Sequence, residues 1–197
     1  MVVDRGELSA NLNGFYDFKG KAILYAGAGR GQLLDPNSRP RRVAAIDSDP
    51  PSLEGFRKDA KTRWTGIPIR FIPRKFETVT LKGDVVYFEF CLYQMENPLW
   101  ALEHARTLAR DIIVMDHLPG SRWIYYWEGE EKVAKSTRAI KSFGVKRSKK
   151  FVAEQRFPGY DAFATRLTEG AEAPPRVLEL KGERDIVIPM DYGLFQL

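Results

Sequence analysis

Cysteine is almost absent from this chain: Cys91 is the only one in 197 residues. A lone thiol excludes an internal disulfide framework. Histidine is nearly as scarce. His104 and His117 are the only two, and with one cysteine they give none of the spacings that hold zinc, so no metal is expected. Long hydrophobic runs are missing too; nothing approaches the roughly 20 apolar residues that cross a bilayer, so no membrane partner is expected. Residues 1–7 lack an apolar core of the secretory type. Internal repeats and low-complexity segments are also missing. What remains is 44% hydrophobic and 29% charged, the composition of a soluble globular protein. The length suits one domain spanning residues 1–197 with a substantial core. A cytoplasmic protein is the expectation.

The formal net charge is +5, which raises the question of nucleic acid. Much of the excess lies in residues 132–150, where Lys132, Lys135, Arg138, Lys141, Lys146, Arg147, Lys149 and Lys150 meet no acid. Val133, Thr137, Ile140 and Phe143 fall on one stripe of a helix there, so the basic residues read as its solvated face. The rival reading is a phosphate-binding patch for RNA or an anionic substrate.

The most informative stretch is Lys21-Ala22-Ile23-Leu24-Tyr25-Ala26-Gly27-Ala28-Gly29-Arg30-Gly31-Gln32-Leu33-Leu34. It reads as a buried strand, a glycine turn and a short helix stopped by Asp35-Pro36. Glycine lets the backbone bend sharply and lets a ligand approach it closely. A second apolar strand, Arg42 to Asp47, ends in a carboxylate able to accept hydrogen bonds from ribose hydroxyls. The dinucleotide fingerprint needs a small residue three places after its second glycine. Gln32 stands there, and the third glycine comes one step early.

On these residues the chain resembles the class I S-adenosylmethionine-dependent methyltransferases. Ile23 to Gly31 matches that family's glycine motif, and Asp47 its acidic residue after the second strand. Gly83 to Met95 matches the fourth-strand motif, and Ile112 to His117 the fifth strand. The likeness covers roughly residues 15–168. Two positions depart from it. Tyr25 stands where the family usually has an acid, and Arg74-Lys75-Phe76 replaces the usual adenine-pairing side chain.

The resemblance implies a Rossmann-like α/β fold: a mostly parallel seven-stranded sheet, helices on both faces and an antiparallel C-terminal strand pair. Strands are expected near 21–26, 42–47, 68–72, 84–89 and 111–116. Helices are expected to open at Asp49-Pro50-Pro51, at Asn97-Pro98 with Leu99, Leu102, Ala105 and Leu108 on one face, and at Glu130. Residues 150–156 and 161–167 read as the antiparallel pair, and 176–180 with 185–189 as an extra C-terminal β-hairpin, able to join two copies as a homodimer. Residues 1–20 are expected to form a lid and 170–197 a C-terminal extension.

The resemblance further implies S-adenosylmethionine as cofactor. Gly27, Ala28, Gly29 and Gly31 would line its ribose and methionine parts, Asp47 with Ser48 would hold the ribose, and Lys75 and Phe76 would lie near adenine. Tyr16 is the expected lid residue, with Glu89 and Phe90 beside the cofactor's cationic end. Glu89, Tyr93 and His117 are the candidate catalytic residues. Glu89 reads equally as a cap of the next segment, and His117 as either a base or a bond to the following loop. Tyr93, His117, Trp123 and Tyr126 are the substrate-side candidates, aromatic faces suiting a cation or a flat ring. Cys91 reads as a small buried residue and His104 as a packing residue. The expected reaction is methyl transfer to an oxygen, nitrogen or sulfur of a small molecule. The alternatives are aminocarboxypropyl transfer or cyclisation on the same cofactor, RNA methylation, and a non-catalytic binding module.

Overall fold

The computed structural model describes residues 5–168 and 174–197. Seven strands form one sheet: β1 (Ala22–Ala26), β2 (Arg42–Asp47), β3 (Ile69–Pro73), β4 (Val85–Glu89), β5 (Asp111–His117), β6 (Arg147–Gly159) and β7 (Arg184–Gln196). Their order is β3-β2-β1-β4-β5-β7-β6. The first five are parallel, and β7 runs antiparallel between β5 and β6. Every residue of β1 is buried, as expected of a parallel strand covered on both faces.

Side chains alternate to two cores. Tyr25, Tyr87, Ile113 and Tyr192 face one, together with the apolar residues of α1 (Arg5–Phe15), α2 (Pro50–Arg63), α4 (Arg122–Trp127) and α6 (Tyr160–Thr168). Leu24, Ile46, Val86 and Phe88 face the other, beneath α3 (Pro98–Leu108) and part of α5 (Glu130–Phe143). The caps follow the local chemistry. Asp49 accepts from the Ser52 N–H at the start of α2, and Asn97 from the Trp100 N–H at the start of α3, each with proline in the first turn. In α3 the buried residues are Pro98, Ala101, Leu102, Ala105 and Leu108, whereas Leu99 is exposed.

Three sequence expectations are corrected. No helix follows the glycine turn; residues 27–35 run irregularly to a single 3₁₀ turn at Pro36–Ser38. Residues 161–167 are helical rather than extended, because Phe163 and Leu167 lie one turn apart and are both buried. The extra hairpin is absent. Pro175–Leu180 is a 3₁₀ segment with Val177 buried, and residues 185–189 begin β7 inside the main sheet. The two segments expected to form that hairpin therefore do not pair with each other; residues 185–189 pair with β6 instead. The expected N-terminal lid and C-terminal extension fall partly on residues 1–4 and 169–173, outside the described residues. Among the described residues no helix is long and apolar enough to cross a membrane.

Candidate functional site

The carboxyl ends of β1 and β2 are tied together by the glycine turn. Gly27, Gly29 and Gly31 take φ of +59°, +50° and +60°, the left-handed region that side chains resist. They differ in what surrounds them. A Cβ on Gly27 would lie 2.6 Å from Cys91 Sγ, and one on Gly31 would lie 2.4 Å from the Phe56 ring; at Gly29 it would meet nothing within 4 Å. The turn bonds across to β2: Ala28 N–H to Ile46 O at 3.0 Å, and Gly29 N–H to Asp47 Oδ2 at 2.8 Å. Asp47 Oδ1 accepts from the Asp49 N–H at 2.9 Å. A carboxylate has about four acceptor sites, so acceptor capacity remains. Ser48 follows, exposed.

Glu89 ends β4, next to β1. Its Oε2 accepts from the Tyr25 hydroxyl and, at 3.3 Å, from that of Tyr87. The Leu33 and Leu34 amides donate to it as well. Burial nevertheless pushes its carboxyl up to about 7, the four hydrogen bonds pulling the other way. The acid missing at Tyr25 thus stands one strand away, held by the tyrosine that replaced it. Phe90 follows with φ +45°, a strained backbone for a bulky residue, its N–H bonded to Met115 O at 2.7 Å.

Beyond Glu89 opens a cavity of about 510 Å³. Glu89, Phe90, Tyr93, His117 and Trp123, which the sequence singled out, all line it. The His117 ring lies 4.6 Å from that of Phe90 and 5.3 Å from that of Tyr93. Burial drives the imidazole down to about 3, so it is neutral at physiological pH. Asp116 beside it is fully buried and pushed up to about 7, its oxygens taken by the His117 and Tyr93 amides. Burial also pushes up the Cys91 thiol, whose Sγ donates to Ala26 O at 3.2 Å. His104 stacks on Trp100, 5.4 Å between ring centroids.

Four candidates lie elsewhere. The Tyr16 hydroxyl bonds to Asp111 Oδ2 at 2.8 Å, at the start of β5 and so at the opposite end of the sheet. Residues 16–21 must descend to the beginning of β1, which carries Tyr16 away from the glycine turn. Phe76 is buried in the second core against Phe88 and His104, with no face to offer a ligand. Lys75 is exposed beyond β3. Tyr126 packs on Phe163, 5.3 Å between centroids, and does not line the cavity.

The cavity also draws residues the sequence did not suggest: Arg5 and Leu8 of α1, Gln155 of β6, Arg166 and Leu167 of α6, and Met190 of β7. Gln155, a polar residue at an inward position of an alternating strand, was the one readable signal. Among the described residues no group of three His, Cys, Asp or Glu could hold a metal ion.

No protein-family profile and no curated protein sequence matches the chain. Solved structures do. A candidate methyltransferase of Bacillus halodurans superposes with TM-score 0.66 at 13% identity, over 95% of this chain and 96% of its own. A candidate RNA methyltransferase of Pyrococcus horikoshii gives 0.60 at 13%, over 98% and 81%. Magnesium protoporphyrin IX methyltransferase of Synechocystis, solved with bound S-adenosylmethionine, gives 0.58 at 14%, over 97% and 77%. The chain has the class I methyltransferase fold.

Proposed function

We infer that the chain is a cytoplasmic, single-domain enzyme that transfers a methyl group from S-adenosylmethionine to an oxygen, nitrogen or sulfur of a small molecule. The Gly29–Asp47 hydrogen bond carries this reading. It sets the glycine turn against the acid that ends the next strand, on the rim that leads to the Glu89 cavity. The cofactor fits the residues present. Gly27, Ala28, Gly29 and Gly31 would hold its ribose and methionine parts, and the open side of Gly29 leaves room for close approach. Asp47 and Ser48 would take the ribose hydroxyls. Glu89 and Phe90 would face the cationic centre. When bound, the cofactor supplies a methyl group already activated on a sulfonium.

The chain's own residues then have three tasks. The aromatic walls exclude water and align the acceptor. Glu89 presents a carboxylate whose proton leaves readily once a cation stands beside it. Neutral His117 and the Tyr93 hydroxyl offer polar atoms near the reacting end. The basic residues of 132–150 support a small acceptor rather than RNA, since several already serve the fold. Lys146 Nζ donates to Leu197 O at 2.9 Å, Arg147 to Phe15 O, and Lys135 to Glu96 O.

Calorimetric titration of the purified protein with S-adenosylhomocysteine tests the reading. Binding is expected, and Asp47→Ala should abolish it. A flat titration of the unmodified protein overturns the reading. Product analysis separates the two chemistries: S-adenosylhomocysteine for methyl transfer, methylthioadenosine for aminocarboxypropyl transfer.

A further inference from the structure

The cavity beyond Glu89 carries two polar atoms that the fold leaves unsatisfied. Nδ1 of His117 and Oε1 of Gln155 are buried without a hydrogen-bond partner, and both residues line the cavity. The residues are only 6% and 3% exposed. Buried polar atoms left unpaired in this way are rare, because each forfeits its bond to water. Two in one wall mark a place completed from outside the chain.

The Gln155 amide has a defined orientation. Its Nε2 stands 3.3 Å from Met190 Sδ. A thioether accepts but cannot donate, so the nitrogen belongs on that side and the oxygen is the orphan. The cavity therefore asks for a ligand N–H or O–H. Its other walls are flat: Phe90, Tyr93, Trp123 and Trp127. Its charged lining residues include the Arg5 cation and the Glu89 carboxyl.

We propose that the cavity takes a flat aromatic acid of about two fused rings that also bears a hydroxyl or ring N–H, with Gln155 Oε1 accepting that hydrogen and Arg5 facing the acid group. The proposal deepens the methyltransferase reading and rests on it for the ligand's being a substrate. Hydrogen-bond recognition by a buried amide gives discrimination on the order of tenfold per missing donor.

Three probes titrated calorimetrically into the full chain test it: 6-hydroxy-2-naphthoate, 6-methoxy-2-naphthoate and 2-naphthol. The hydroxy acid should bind tightest, with each of the others about tenfold weaker. In Gln155→Leu the hydroxy acid should lose that advantage while the methoxy acid binds as before, and the melting temperature should not fall, since leucine removes an unpaired polar atom. Equal binding of the two acids by the unmodified protein overturns the proposal, as does no binding of either, or an equal loss of both in the variant. A parallel titration with S-adenosylhomocysteine keeps the readings apart. If it binds and the naphthalenes do not, the aromatic-acid proposal falls alone; if the naphthalenes bind and it does not, the methyltransferase reading falls alone.

Discussion

The glycine corner and the aromatic cavity share one rim of the sheet but are built in opposite ways. The corner comes from residues 27–49, a single β-turn-β stretch, and its polar groups are met by backbone amides of the same stretch. The cavity draws on residues from Arg5 to Met190, and two of its polar atoms are met by none of the described residues. A corner that satisfies itself is rigid before any ligand arrives. A wall with orphaned polar atoms is selective about what completes it. On the proposed reading the first would hold the cofactor and the second would choose the acceptor.

The sharpest way to break this comparison is Asp47→Ala. It removes the carboxylate that joins the glycine turn to β2, leaving the Gly29 and Asp49 amides without it. A loss of S-adenosylhomocysteine binding and a fall in unfolding free energy of about 3 kcal/mol are expected, read by calorimetry and by urea melts. If stability falls and binding persists, the corner is structural only.

Next in size is the pH response of Glu89. Its folded value of about 7 lies above the ordinary 4.5, so the native state holds a proton that the unfolded chain has lost. That stability is fully present below about pH 4.5 and disappears as pH rises through about 7, a swing on the order of 3 kcal/mol. Glu89→Gln should lessen this decline in melting temperature between pH 5 and 8, with buried Asp116 supplying what remains. His117 acts in the opposite sense. Its depressed value means that stability is lost as pH falls from about 6.5 toward 3. A variant whose melting curve tracks the parent at every pH removes Glu89 from this role.

The glycines sharpen the comparison within the corner. Gly27→Ala and Gly31→Ala drive a methyl into Cys91 and Phe56, and each should cost about 2–3 kcal/mol of stability. Gly29→Ala meets open space and should cost about 1 kcal/mol from its left-handed backbone alone. Its larger effect should be on cofactor affinity. Equal melting temperatures for the three variants would remove the distinction between packed and open positions.

Smallest is Tyr25→Phe. Losing the tyrosine's bond to Glu89 should lower stability by about 1 kcal/mol and move the carboxyl titration upward, since that bond is one of those holding it down. A midpoint that stays put in a pH-melt series would mean that the other three bonds suffice.

Much of the corner was legible because its causes are local. Left-handed glycines, an acid after an apolar strand and Asp-Pro or Asn-Pro caps each act within a few residues. The parallel strands were legible as short apolar runs. The helix expected after Gly31 fails for a reason the local pattern hides. Only Gln32 to Asp35 separate the turn from Pro36, too few residues to pay for nucleation, and the Leu33 and Leu34 amides go to Glu89 instead. The C-terminal third misled because Ala162-Phe163-Ala164 alternates like a strand while Phe163 and Leu167 also share a helix face. Pro189 looked like the end of a hairpin arm. It sits within β7 beyond the stretch paired to β5, where a missing N–H costs no ladder bond on that side. Arg166 reaches the cavity only through such long-range placement, and for Gln155 the one local hint is its inward place on an alternating strand.

The antiparallel insertion of β7 between β5 and β6 has a consequence for how the molecule comes into being. On the ribosome, β5 and β6 emerge with a gap between them, and the strand that bridges it follows only after α6. Until the residues from Arg184 onward appear, β6 has no neighbour, and until Met190 appears the aromatic chamber lacks part of its lining. The nascent chain can thus complete the glycine corner first, and the walls of the aromatic cavity come together last.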